Sequence, residues 1–145
     1  MEFAENTHKK ELIAIYDAVD APGSSGGFSP EFLDDERCQE FLFTILHRNG
    51  SRCPECNGRL NDRKTSRFWH GKTVKCSGCG KIFTAKTGTI LAGKSLNAKD
   101  ILLMFWLIKR NFSDIDIAKI ISCHRETVRL WRQMIGNAYE SESTN

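Results

Sequence analysis

Apolar and polar positions alternate along this chain in a few distinct rhythms. Pro30–Arg48 (PEFLDDERCQEFLFTILHR) repeats apolar residues at Phe32/Leu33, Cys38, Phe41/Leu42 and Ile45/Leu46, which is close to helical spacing. Ser29 stands where an N-cap belongs, and Asn49-Gly50 where a helix stops. Further on, Ile101–Ile108 (ILLMFWLI) is apolar on every side, behind an Asn97/Asp100 capping arrangement and ahead of Lys109-Arg110-Asn111. A helix apolar all round must be enclosed, so this one is predicted to be central. From Ser113 to Gly136 the rhythm predicts two helices: Ser113 with Asp116 caps the first, which ends near Ser122-Cys123, and the second runs from Arg125 to Ile135. Ile117, Ile121, Cys123, Val128 and Trp131 are its apolar positions, with small Ala118 where two helices would cross, the internal pattern of a helix-turn-helix.

Glu2–Val19 sets Leu12, Ile15, Tyr16 and Val19 on one helical stripe. It precedes the Gly/Ser-rich Ala21–Ser29 (APGSSGGFS), which reads as a flexible break. The arm is expected either to fray, to dock as an amphipathic helix on a protein partner, or to fold back onto the chain's own basic part.

Between the leading helix and the central helix, periodicity gives way to short segments and turn residues. Ser66–Trp69 and Lys72–Lys75 flank His70-Gly71 and predict a hairpin, with Lys81–Lys86 as a third strand. This segment holds Cys53, Cys56, Cys76 and Cys79, two Cys-x-x-Cys knuckles nineteen residues apart, followed by the turn residues Asn57-Gly58 and Gly80. A knuckle supplies two thiolates from one tight turn, and two knuckles complete a tetrahedral shell. The four cysteines are therefore expected to bind Zn2+, making the segment a zinc ribbon, with His70 as a turn residue outside the shell. No thioredoxin-like βαβ pattern surrounds the pairs, which argues against a redox role. Cys38 and Cys123 read as small buried hydrophobes. The fold class is α+β: an acidic arm and linker over 1–28, leading helix and ribbon over 29–94, helix-turn-helix over 95–139 and a tail over 140–145.

Composition fits a globular chain of 145 residues, 40% apolar and 27% charged. The longest apolar run is eight residues, and MEFAENTHKKEL has no charged-then-apolar leader, so a cytoplasmic protein without a membrane span is expected. Charge changes the picture more. The net +3 combines −7 over residues 1–40, with three Lys/Arg against ten Asp/Glu, and +9 over residues 48–94, with eleven against two. The cysteine segment is the basic pole, which points to a polyanion such as double-stranded DNA. Arg59, Arg63, Lys64, Arg67, Lys72, Lys75 and Lys81 are the expected phosphate contacts. With Val128 and Trp131 facing inward, His124, Arg125, Glu126, Arg129, Arg132 and Gln133 are expected to face outward from the second helix, and these are groove-reading residue types. Ser122, where glycine is commonest, and His124, where a Ser or Thr N-cap is commonest, depart from the usual turn.

The order FLDDERCQEFLFTILHRNGSRCPEC, then VKCSGCGKIFTAKTGTIL, then a helix, then IAKIISCHRETVRLWR, resembles the N-terminal region of zinc-ribbon insertion-sequence transposases. The likeness runs from Phe28 to Gly136 and includes Phe83 and the Thr87-Gly88-Thr89 turn. It implies binding to the terminal inverted repeats of a mobile element, through ribbon and helix-turn-helix together. The family's RNase-H-type catalytic domain would need far more than the nine residues after Gly136, so no catalytic residues and no enzyme activity are expected. A stand-alone regulator associated with the nucleoid is one expectation. A zinc-ribbon adaptor that docks on transcription machinery is the competing one.

Overall fold

The computed structural model describes the backbone of residues 2–19 and 34–143. The predicted linker Ala21–Ser29, the Ser29 cap and the Phe32/Leu33 positions lie outside the described residues. Among the described residues, six helices and a two-stranded sheet follow in the order α1 Glu2–Ala18, α2 Asp35–Leu46, α3 Asp62–Trp69, β1 Val74–Lys75, β2 Ile82–Phe83, α4 Ala98–Lys109, α5 Asp114–Ile121 and α6 Arg125–Ser143. The mixed, helix-rich α+β class agrees with the sequence pattern.

α4 occupies the centre. Asn97 caps it by accepting the Asp100 N–H at 2.8 Å, and Ile101, Leu102, Met104, Phe105, Leu107 and Ile108 are all buried. It packs against α1, α2 and α5, so its apolar sequence finds a neighbour on each side. α2 begins at Asp35, where Asp34 accepts the Glu36 N–H at 3.0 Å as the N-cap, and it ends at His47 rather than at Asn49-Gly50.

The first helix is part of this body. Leu12, Ile15 and Val19 are buried, and α1 packs on α2, α4 and α6. Tyr16 meets Tyr139 edge-on at 5.4 Å, the Tyr139 hydroxyl donates to Asp17, and Lys109 Nζ donates to the Tyr16 carbonyl at 3.0 Å while lying over its ring. The stripe is thus occupied within the chain. The same contacts account for α6 running to Ser143 and not stopping at Ile135. Gly136 inside a helix costs about 1 kcal/mol relative to alanine, and burial of Ile135 and Ala138 with the Tyr139 contact to α1 outweighs it.

The predicted hairpin around His70-Gly71 is not formed. Ser66–Trp69 is the end of α3, capped by Asn61, which accepts the Lys64 N–H at 2.9 Å, and closed by a Schellman turn in which Gly71 N–H bonds Phe68 O and Lys72 N–H bonds Arg67 O. Gly71 has φ +75°, the left-handed conformation such a stop requires. The sheet forms instead across the second knuckle: β1 pairs β2 antiparallel, with Val74 opposite Phe83 and Lys75 opposite Ile82. Of the predicted third strand Lys81–Lys86, only Ile82–Phe83 is extended and paired.

Candidate metal centre

The two knuckles have the same backbone, displaced by twenty-three positions. Cys53 N–H bonds Gly58 O at 3.0 Å and Cys76 N–H bonds Lys81 O at 2.9 Å; Asn57 N–H returns to Cys53 O and Gly80 N–H to Cys76 O. Asn57 (φ +62°) and Gly80 (φ +79°) hold the left-handed position that closes each turn. Glu55 N–H points at Cys53 Sγ at 3.4 Å and Gly78 N–H at Cys76 Sγ at 3.3 Å, so each first thiol also receives a backbone donor.

This repetition brings the four sulfurs together. All lie within 4.8 Å of one another, and Cys53–Cys79 and Cys56–Cys76 are 3.6 Å apart. A metal with bonds to sulfur of about 2.3 Å at the centre of a tetrahedron would set its sulfurs about 3.8 Å apart. A 3.6 Å gap is also far beyond a disulfide bond, which is about 2.05 Å. The donor set therefore fits a tetrahedral thiophilic ion. Cys53 and Cys76 are buried while Cys56 and Cys79 are exposed, and the first knuckle is tight at Gly58, where a Cβ would sit 3.3 Å from Cys56 Sγ.

The acid–base character of the cluster points the same way. Backbone N–H groups of Cys79 and Gly78 pull the Cys76 thiol down to about 6. The Lys81 N–H favours a thiolate at Cys79, yet desolvation and the neighbouring Cys53, Cys56 and Cys76 outweigh it and push Cys79 up to about 12. Four thiols this close cannot all ionise without a cation among them. His70 lies apart as the α3 C-cap, its Nδ1 donating to Ser66 O at 2.7 Å. Cys38 is buried in the helical core, and Cys123 is half-buried with its Sγ on the His124 carbonyl.

A residue the sequence pattern did not single out joins the cysteine segment to the helices. His47, at the end of α2, donates from Nε2 to Ala85 O at 2.6 Å and meets Phe68 edge-on at 4.7 Å; Phe68 in turn packs on Phe83. Burial lowers its pKa, so it serves as a neutral ring. A second joint is Glu11, whose carboxylate accepts the Ile90 N–H at 3.2 Å at the edge of a cleft of about 310 Å³. Desolvation, partly offset by that hydrogen bond, raises its pKa from 4.5 to about 7. The folded state thus holds its proton more tightly than the unfolded chain, and stability falls as pH rises from 4.5 to about 7. Glu11→Gln keeps the acceptor without the charge. It is expected to melt a few degrees above the parent at pH 8 and level with it at pH 4, an effect of roughly 1 kcal/mol after solvent screening; equal melting at pH 8 would contradict the assignment.

The expected phosphate contacts are placed as follows. Arg59, Arg63, Lys72, Lys75 and Lys81 are exposed, and their side chains carry no ion pair or hydrogen bond among the described residues. Lys64 Nζ donates to Ser77 Oγ at 2.6 Å, and Arg67 Nε to Thr73 O at 3.1 Å, so both are partly held while their charge stays near the surface.

On α6, Val128 and Trp131 are buried as expected, and Arg125, Glu126, Arg129 and Gln133 are exposed, as is His124 just before the helix. Glu126 and Arg129 form a two-point ion pair, and Arg129 Nη1 also reaches Gln133 Oε1 at 3.4 Å. Arg132 is turned differently: its guanidinium is half-buried against α5, donating to Asp114 Oδ1 at 2.8 Å and to Phe112 O. Leu130, four residues after Glu126 and therefore on the same exposed stripe, is 46% exposed, and the apolar rhythm of the sequence does not mark it as a surface residue.

Compared with known proteins, the chain matches no family model, no curated protein and no solved structure. Among the described residues, no helix is long and apolar enough to cross a membrane.

Proposed function

We propose that the chain is a sequence-specific double-stranded DNA-binding protein. In this reading Cys53, Cys56, Cys76 and Cys79 hold Zn2+ in a zinc ribbon, and α5–α6 are a helix-turn-helix with α6 as its reading helix. The observation that carries the reading is the set of exposed, unpaired cations around the thiol cluster, Arg59, Arg63, Lys72, Lys75 and Lys81. Such a surface is costly to leave self-repelling and is neutralised by phosphates, with release of counterions. The exposed Glu126–Arg129–Gln133 stripe adds groups suited to base edges, since arginine pairs bidentately with guanine and glutamine with adenine. The resemblance to zinc-ribbon insertion-sequence transposases supplies the candidate target, inverted-repeat ends. A promoter-like site would point instead to a regulator.

Selection of duplexes from a random pool by the zinc-loaded chain tests this. Arg129→Ala is expected to weaken the selected site about 5- to 150-fold, corresponding to about 1–3 kcal/mol, and to relax its sequence preference. Lys72→Ala is expected to weaken all duplexes alike and to lower the salt slope by about 0.9. Identical behaviour of the two variants would count against α6 as the reader. A second reading, an adaptor docking on transcription machinery, is favoured by Ile115 and Ile120, which stand 48% and 50% exposed on α5. Capture of RNA polymerase without a shift of any duplex would select it.

A further inference from the structure

The β1–β2 hairpin presents an unusual surface. Its register turns Val74 and Phe83 inward and sets Lys75 opposite Ile82 on the outer face. Ile82 is 63% exposed, more than any other large apolar side chain among the described residues. α3 packs on β1, and the buried Val74 and Phe83 mark the covered face of the sheet; the face bearing Ile82 and Lys75 is open. The turn that joins the strands is made of Ser77, Gly78 and Gly80 between its cysteines, with little side chain to hinder close approach. Lys64 reaches this turn through Ser77 Oγ at 2.6 Å, and Lys75 and Lys81 are free of partners among the described residues. One branched apolar group therefore stands on a narrow two-stranded ribbon, with cations beside it and at its tip.

That combination has a natural complement. The major groove of B-form DNA admits a two-stranded β-ribbon, its walls are phosphate, and the apolar feature on its floor is the thymine C5 methyl. Resting on the DNA-binding reading above, we propose that the β1–β2 hairpin enters the major groove, with Ile82 packed on a thymine methyl and Lys64, Lys75 and Lys81 on the flanking phosphates. Sequence preference is then read at two places, by α6 and by the hairpin that the metal holds in shape. An acidic protein surface would also attract the lysines, but binding to it would not depend on a single thymine methyl, which the test below reads.

The test uses the full chain loaded with zinc and its own selected duplex, in which each thymidine is replaced in turn by deoxyuridine. Removing one methyl is expected to weaken wild-type binding about 4-fold at one or two positions outside the α6 footprint. Ile82→Ala is expected to bind the parent duplex about 4-fold more weakly and to be indifferent to uridine at those positions. Ile82→Lys is expected to lose the same thymine sensitivity while its salt slope steepens by about 0.9. Ile82 is exposed, so both variants should fold, and unchanged metal content checks that they do. If wild type binds its duplex but Ile82→Ala keeps full thymine sensitivity at every position, the hairpin does not read the groove, although the DNA-binding reading survives. If wild type binds no duplex and is retained by an acidic protein surface, both readings are overturned.

Discussion

Cys53→Ser is expected to strip the protein of its metal and unfold the segment from Ser51 to Thr89, while the helices around α4 persist. The segment has little core of its own: Phe68, Val74 and Phe83 are its buried hydrophobic side chains besides cysteines and Ala85. So small an apolar cluster cannot offset the chain entropy of nearly forty residues, which is why small ribbons depend on a metal. For structural zinc in comparable small sites the binding free energy is about 10–16 kcal/mol at neutral pH, and it acts as folding free energy because the unfolded chain has no preformed site. Cys53 is 1% exposed and receives the Glu55 N–H, so a serine there removes a ligand and leaves a hydroxyl among three thiols. The α1, α2, α4, α5 and α6 contacts do not pass through the cluster. Hydrogen exchange should therefore show protection lost over the segment, with helical circular dichroism largely kept and metal content falling from one equivalent to none. Cys123→Ser, outside the cluster, should keep the metal. Undiminished protection in metal-free Cys53→Ser protein would refute the dependence.

Local signals in the sequence located what is local in the structure. The Cys-x-x-Cys spacing inside each knuckle, the Asn97 and Ser113 caps, the apolar α4 and the inward Val128 and Trp131 are all set by residues within a turn or two of one another. Where two structures share one signal, local sequence does not choose between them. His70-Gly71 suits a hairpin turn and a helix stop equally well, and the aromatic Phe68-Trp69 pair favours strand by propensity; Asn61-Asp62, an N-cap and first-turn acid seven residues upstream of that pair, is the discriminating feature. Contacts that depend on faces meeting across the chain were not legible at all. The docking of α1 on α6 joins Tyr16 and Asp17 to Tyr139, and the His47–Ala85 bond spans 38 positions. No periodicity within either segment specifies its partner.

The joint at His47 has a consequence for the proposed activity. A ring that is neutral, half-buried and bonded to the strand-flanking Ala85 ties the cysteine segment to the helical body. The free cations of that segment and the exposed stripe of α6 belong to separate elements, so a duplex spanning both would feel any play between them. In the proposed reading a metal at the four cysteines would shape this segment, and the aromatic contact of His47 with Phe68 holds the segment against the end of α2.

Phe105→Ala is expected to lower the melting temperature of the helical body by about 10–20 °C without releasing the metal. Phe105 is fully buried on α4 and meets Trp131 of α6 edge-on at 5.7 Å, so it ties the central helix to the proposed reader. Truncating a buried phenylalanine costs about 3–5 kcal/mol through lost transfer energy and the cavity left behind, and loss of the aromatic pair falls within that figure. Against a total stability of about 5–15 kcal/mol this is a large fraction, and for a chain of this size each kcal/mol moves the midpoint by a few degrees. Trp106→Ala is the informative contrast. Trp106 is only partly buried, stacked by the Arg110 guanidinium at 3.6 Å, and its removal opens no closed cavity. Its expected cost is about 1 kcal/mol or less, from the stacking and a little apolar area. Similar melting of the two variants would mean that α4 is not the enclosed centre, and that the α5–α6 pair is held by α1 alone.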